Sequence, residues 1–389
     1  MDIDLIRQET KGCTDKIFLN SAGSSLVTDR VTDIMVNYLT DEAQAGGYAL
    51  ASEYDAEMSE LYTEAAILLN CAPENIAYTN SATDGYARAI TSVDFKTGDI
   101  ILTTDDDYIS NQLSFFSLKK RFGIELIRAK NLPNGDLDLD DFEKLVKQHQ
   151  PKLVAITHIP TNSGLIQPVE EVGIICRKYD ILYLLDACQA VGQLNVDVKK
   201  IGCDFLTATG RKFLRGPRGT GLLYVSDKVL ATEMAPLIFD MKGAEWTGAN
   251  EYRLLKTAKR FEFWESSIAC RLGLAAALKY VNSIGITTIE HYNIKLMQTF
   301  RSRLQEVKGL HLHDRGSQLS NILTFTTDNR SMEETAQLLR DNHVYFSLSA
   351  REFALIDFTK KNLDGVIRFS PHYFNTAHEL EKIIAILEY

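Results

Sequence analysis

The 389-residue chain has no CxxC pair and no Cys/His cluster at metal-ligand spacing, although six cysteines are scattered along it (Cys13, Cys71, Cys176, Cys188, Cys203 and Cys270). Thiols placed this way exclude a zinc ribbon or finger. In a reducing compartment they point to small buried hydrophobes rather than a disulfide framework. Apolar runs of about 18 residues or more are missing, and so is a basic start leading into an apolar stretch; no membrane span or leader is expected, and the chain reads as cytoplasmic. Lys and Arg together number 42 against 52 Asp and Glu, a net charge of -10 with no basic block, which makes nucleic acid a poor partner. Eight prolines, no low-complexity tract and no fixed-period repeat predict that the whole chain folds.

The hydrophobic residues, 45% of the total, exceed what one ordinary single-core domain needs at this length, so two domains are expected. From about residue 76 to 225 short apolar or β-branched runs alternate with helix-length segments. The strands expected are Ile76–Thr79, Asp99–Thr103, Ile124–Ala129, Leu153–His158, Ile181–Asp186, Asp204–Ala208 and Gly221–Val225, with helices such as Thr83–Thr91, Ile109–Arg121 and Val169–Tyr179 between them. Continuous apolar strands joined by helical crossovers predict an α/β fold with a mostly parallel central sheet. Ligands of such sheets sit beyond the carboxyl ends of the strands. After residue 255 two long helical patterns (Ser266–Asn282, Thr287–Val307) precede strand-like LSNILTFTT, a helix near Met332–Asn342, strand-like VYFSLS and GVIRFS, and a helix from Thr376. This predicts a smaller α+β C-terminal domain. The expected division is an N-terminal segment 1–20, a large domain 21–255 and a small domain 256–389.

The richest segment is residues 181–225. Asp186 ends an apolar strand, and the next strand runs into a polar turn carrying Lys212, so both groups reach one rim of the sheet. Pyridoxal 5'-phosphate (PLP) needs an amine for its Schiff base and an anion at its ring nitrogen, and Lys212 and Asp186 fit those roles. Gln189 suits a hydrogen bond to the cofactor's phenolic oxygen. Alone, the pair reads equally as an ordinary strand-ending acid and a surface lysine. The run Gly216–Gly221, GPRGTG, lacks the Gly-Lys-Ser/Thr ending of a nucleotide loop and leads into a strand, so it is a tight connection.

Here the sequence resembles the aminotransferase class V family of fold-type I PLP enzymes, which includes cysteine desulfurases, over nearly its whole length. The matching motifs are D-A-C-Q (Asp186 to Gln189), T-G-R-K (Thr209 to Lys212), N-S-A-T-D-G-Y (Asn80 to Tyr86), D-Y-I-S-N (Asp107 to Asn111), H-I-P-T-N-S-G (His158 to Gly164) and V-I-R-F-S (Val366 to Ser370). The resemblance implies that Lys212 and Asp186 are catalytic, and that Ala82 and Thr83, at a helix start suited to anions, hold the phosphate with Thr209. Arg211 lies beside it in the usual His place. Tyr108 is implied to stack on the ring, Thr161 and Asn162 to lie near the phenolic oxygen, and Arg368 to grip the substrate carboxylate as a planar two-pronged donor. L-N-S-A-G (Leu19 to Gly23) resembles the rim of the substrate pocket, with Ala22 and Gly23 at its edge. G-A-E-W-T-G (Gly243 to Gly248) falls where relatives present a residue to the neighbouring subunit's phosphate, which marks Thr247 and implies a homodimer with shared active sites.

The substrate implied is an amino acid, with Lys212 moving protons at its α-carbon. A persulfide-forming desulfurase needs a nucleophilic cysteine ahead of the carboxylate-binding arginine, and His343–Ser370 contains none, so that reaction is disfavoured. The wording R-K-F-L-R-G-P-R-G-T-G with R-F-E-F-W-E-S-S looks closest to ergothioneine-type carbon-sulfur lyases. The expectation is therefore β-elimination on a cysteine conjugate or sulfoxide. Transamination, epimerisation and an inert regulator with the same fold stand as alternatives.

Overall fold

Alternation along single strands explains the central layer. On the strand Leu182–Asp186, Tyr183 and Leu185 join one apolar cluster while Leu184 joins another, the two-residue period of a strand covered on both faces. The computed structural model describes residues 1–388. In chain order the first strands are β1 (Ile17–Phe18), β2 (Ile76–Thr79), β3 (Ile100–Thr104), β4 (Glu125–Ala129), β5 (Leu153–Thr157), β6 (Leu182–Asp186), β7 (Phe205–Thr209) and β8 (Gly221–Val225). Strands β2 to β8 form one seven-stranded sheet in the order β2-β8-β7-β6-β5-β3-β4. The pairings of β8 with β2 and β7 are antiparallel and the rest are parallel, as the apolar runs and helical crossovers predict. Each observed strand lies within one residue of its expected bounds.

A hairpin of β9 (Ala244–Gly248) and β10 (Glu251–Leu254) follows, with bounds the sequence pattern did not mark. Next come β11 (Leu310–Leu312), β12 (Leu323–Thr327), β13 (Val344–Tyr345), β14 (Ser347–Ala350) and β15 (Gly365–Phe369). The second sheet is antiparallel, in the order β11-β12-β15-β14. The helices Ile286–Glu306 and Ala377–Glu388 cover its core through Phe300, Leu304, Ile383 and Leu387. VYFSLS, expected as one strand, divides at Phe346. Its first half pairs in parallel with β1 and its second half with β15, because the chain changes partners there. The helix Ile268–Ile284 packs on Asp29–Ala45 and Asp55–Leu69, burying Leu272 beside Tyr38 and Leu50. Among the described residues no single helix is long and apolar enough to cross a membrane.

One segment ties the two sheets together. Leu19 accepts from Ser370 N (2.7 Å), Ser21 N donates to Ser370 O (3.0 Å), and Ser25 N donates to the carbonyl of Arg211 (2.8 Å). The residues from β1 to Ser25 thus run from the end of β15 to the turn after β7.

Candidate active site

Asp186 is the last residue of β6, and Lys212 stands three residues beyond β7, in a turn closed by Gly210 N to Thr220 O (3.0 Å) and Gly216 N to Gly210 O (2.8 Å). Both side chains therefore reach the carboxyl rim of the sheet and both are buried. Gly192, with φ at 98°, backs this turn so closely that a Cβ would sit 2.4 Å from the carbonyl carbon of Phe213, a position that only glycine fills without displacing the turn.

The Asp186 carboxylate accepts from Asn111 Nδ2 on Oδ2 (3.0 Å) and from the backbone N–H of Cys188 on Oδ1 (3.0 Å). Asn111 also bonds Asp107 (2.9 Å), which in turn accepts from Thr157 and Gln112. These bonds fix the acid in one orientation. Burial lowers the Lys212 ammonium to about 8, with Arg211 and Arg368 pushing the same way and Cys188 and Asp186 opposing. Desolvation disfavours the charged form of an amine, so a large share of Lys212 is the neutral nucleophile near neutral-to-basic pH.

Together with Lys212 and Asp186, the residues Ala82, Thr83, Tyr108, Thr161, Gln189, Thr209 and Arg211 line one cavity of about 70 Å³. Lys212 Nζ lies 5.8 Å from the centre of the Tyr108 ring. Ala82 and Thr83 open the helix Ala82–Thr91, whose cap is Ser81: its Oγ accepts from Asp84 N (3.0 Å). The first N–H groups of a helix have no partner within it, and here the residues that carry them, Ala82 and Thr83, line the cavity. Gly221 lets this helix start approach β8, because a Cβ there would lie 2.6 Å from the carbonyl carbon of Ser81 and 2.8 Å from Ala82 N.

Gln189 donates through Nε2 to Ala22 O (3.2 Å) and Thr161 Oγ1 (3.4 Å), and its Oε1 is buried with no partner. Arg211 donates to Gly23 O. Arg368, on β15 opposite Thr324 and Ser347, makes two long bonds of 3.4 Å, to Thr161 O and Asn20 Oδ1, and its Nε has no partner. Burial pushes its guanidinium down to about 10. Among the described residues no carboxylate comes within ion-pairing distance of Lys212, Arg211 or Arg368. A fixed acid, a dry amine, an open helix start and unpaired buried atoms leave room for a ligand with an aldehyde, a ring nitrogen and a phosphate. Pyridoxal 5'-phosphate meets that demand.

Of the residues singled out from the sequence, Ala22, Gly23, Asn162, Thr247 and Arg368 do not line this cavity. Thr247 is exposed on β9 and lines no part of this cavity. Asn162 is buried beside it, with Oδ1 accepting from Ser349 Oγ (2.7 Å). Four residues missed in the sequence belong to the site: Ser81, Asn111 and Cys188, together with Asn20, which faces Arg368. Cys188 was readable from its place inside D-A-C-Q. Asn20 and Asn111 fall inside L-N-S-A-G and D-Y-I-S-N, but nothing in those motifs gives their partners.

The pattern of the family described as Aminotransferase class-V matches residues 17–383. A probable cysteine desulfurase of Pyrococcus abyssi is 29% identical, with 98% of this chain and 96% of the relative covered. One from Methanothermobacter thermautotrophicus is 27% identical with the same coverage. The apo cysteine desulfurase of Thermococcus onnurineus superposes with a TM-score of 0.91 at 26% identity, covering 100% of this chain and 98% of that one. These relatives correct the expectation of β-elimination on a conjugate or sulfoxide with desulfuration set aside. They also lend no support to the narrower likeness to ergothioneine-type lyases.

Proposed function

The chain belongs to the aminotransferase class V family and is a PLP-dependent enzyme, and from that premise we propose that it takes sulfur from free cysteine and leaves alanine. The observation that carries this reading is Lys212, buried and without an ion pair, in one cavity with the fixed acid Asp186, in a chain whose full-length relatives are named cysteine desulfurases.

The cofactor supplies an electron sink that makes the substrate's α-proton removable. Lys212 would hold it and would serve as the base that moves a proton at the substrate's α-carbon. Asp186 would take the ring nitrogen, the backbone of Ala82 and Thr83 with the Thr209 hydroxyl would hold the phosphate beside Arg211, Tyr108 would stack on the ring, and Gln189 and Thr161 would meet the phenolic oxygen. Arg368 binds the substrate carboxylate at the rim formed by Asn20, Ala22 and Gly23.

The protein works as a homodimer in this reading. Leu237, Ile238 and Met241 are each about 70% exposed, and Trp246 is 84% exposed on the hairpin that bears Thr247. Apolar surface of this kind in a soluble protein marks a contact site.

The test is to incubate cofactor-loaded enzyme with cysteine and a reducing thiol and to measure alanine and sulfide. Alanine in stoichiometric balance with released sulfur is expected. Pyruvate and ammonia in place of alanine refute the assignment.

A further inference from the structure

A second cavity, of about 210 Å³, adjoins the first and shares Tyr108 and Thr161 with it. Its mouth is ringed by large apolar side chains left open to solvent: Leu113 (59% exposed), Phe116 (50%), Phe353 (52%) and Leu355 (61%). Phe353 and Leu355 come from Arg351–Lys361, within the stretch His343–Ser370 that lacks cysteine. The floor is polar and mainly acidic: Asp105 is paired with Lys360 and Asp357 with Lys361, buried Asp106 accepts from Asn131, and half-buried Asp107 accepts from Gln112, which Arg128 bonds in turn. An apolar ring over an acidic floor favours a neutral apolar ligand over an anion.

The chain's own thiols do not meet the need for a sulfur acceptor. Burial pushes Cys13 up to about 11, Cys71 up to about 12, and Cys176, Cys188 and Cys203 higher than the ordinary thiol range. Cys188 alone among the six lines the cofactor cavity, and it is held there as a thiol, the poorly nucleophilic form. Cys270 lies against Arg218 O, away from either cavity.

Resting on the cysteine reading above, we infer that the cavity bounded by Leu113, Phe116, Phe353 and Leu355 binds a free, neutral, apolar-bodied thiol that accepts the sulfur in place of an enzyme cysteine. The balance is simple. The acceptor loses its proton to solvent, and its sulfur forms a bond to the substrate's Sγ. The Cβ–Sγ bond breaks with its electron pair left on Cβ, which takes up a proton. Cysteine and R–SH become alanine and R–S–SH, with no outside oxidant or reductant.

The experiment uses loaded enzyme, cysteine and one of three acceptors: benzyl mercaptan, 2-mercaptoethanol or 3-mercaptopropionate. Alanine formation is expected to saturate with benzyl mercaptan at a KM at least tenfold below that of 2-mercaptoethanol, and the carboxylated thiol is expected to be the poorest. Leu113→Glu and Phe116→Glu, both at exposed positions outside the catalytic cavity, are expected to raise the KM for benzyl mercaptan about tenfold or more and leave the KM for cysteine unchanged. Binding is read separately, by saturation-transfer NMR of the unreactive benzyl methyl sulfide on loaded and cofactor-stripped protein; its signal is lost in both variants. If alanine forms equally with every thiol, the external-acceptor inference is overturned while the cysteine reading stands. If no alanine forms with any acceptor although the loaded cofactor shows its absorption band, both fail.

Discussion

Arg368→Met separates what Arg368 does for substrate from what it does for the fold. The guanidinium is buried, has no acid partner and keeps two hydrogen bonds of 3.4 Å. Its descent from 12.5 to about 10 corresponds to roughly 3 kcal/mol against the charged form. Bonds that long return no more than about 1 kcal/mol each. Methionine fills much of the volume without the charge, so cofactor-free Arg368→Met is expected to be as stable as the wild type or more stable by about 1 kcal/mol. Activity should move the opposite way. A substrate carboxylate bound by this fork gains about 1.5–3 kcal/mol per charge-assisted bond, and its loss is expected to lower kcat/KM for cysteine by about 10²-fold or more. Urea unfolding of the stripped protein and steady-state alanine formation by the loaded one give the two numbers. A variant destabilised by more than about 1 kcal/mol with little change in kcat/KM refutes the view of Arg368 as a cation poised for a ligand.

Three other expectations follow from the same geometry. Because Lys212 is lowered to about 8 from 10.5, the unfolded chain binds more protons between those values, and the stability of stripped wild type relative to Lys212→Met should rise with pH from about 8 to 10; urea unfolding at both ends checks it, and a flat difference contradicts it. Gly221→Ala, which brings a methyl to within 2.8 Å of Ala82 N, is expected to weaken cofactor retention at least tenfold by shifting the helix start, measured by equilibrium dialysis of PLP. Ile238→Asp, at an exposed apolar position, should shift the protein toward monomer in sedimentation; an unchanged mass places the dimer contact elsewhere.

The central sheet was legible because most of its strands are covered on both faces, the edge strand β4 excepted, and their apolar runs stand out without knowledge of any partner. Lys212 and Asp186 were legible for a related reason: a strand end fixes where its next residues go, so two charged groups after neighbouring strands must share a rim. Asn111 and Asn20 were not. Each is an ordinary polar residue locally, and its place is set by segments 75 and 348 positions away. Phe346 shows the same limit in the backbone, since nothing in VYFSLS marks where the chain changes partners. The reaction was less legible than the cofactor, because a stretch without cysteine leaves the chemistry after the first step open, and the cavity lined by Phe116 and Phe353 is assembled from segments far apart in the chain.

The segment from Leu19 to Ser25 touches Ser370 at one end and the backbone of Arg211 at the other, with Ala22 O on Gln189 between them. Such a strap braces the carboxylate end at Arg368 and the cofactor end at Lys212 with the same stretch of backbone. Whatever factor the cofactor adds to affinity for a substrate anion, that anion must return to the cofactor.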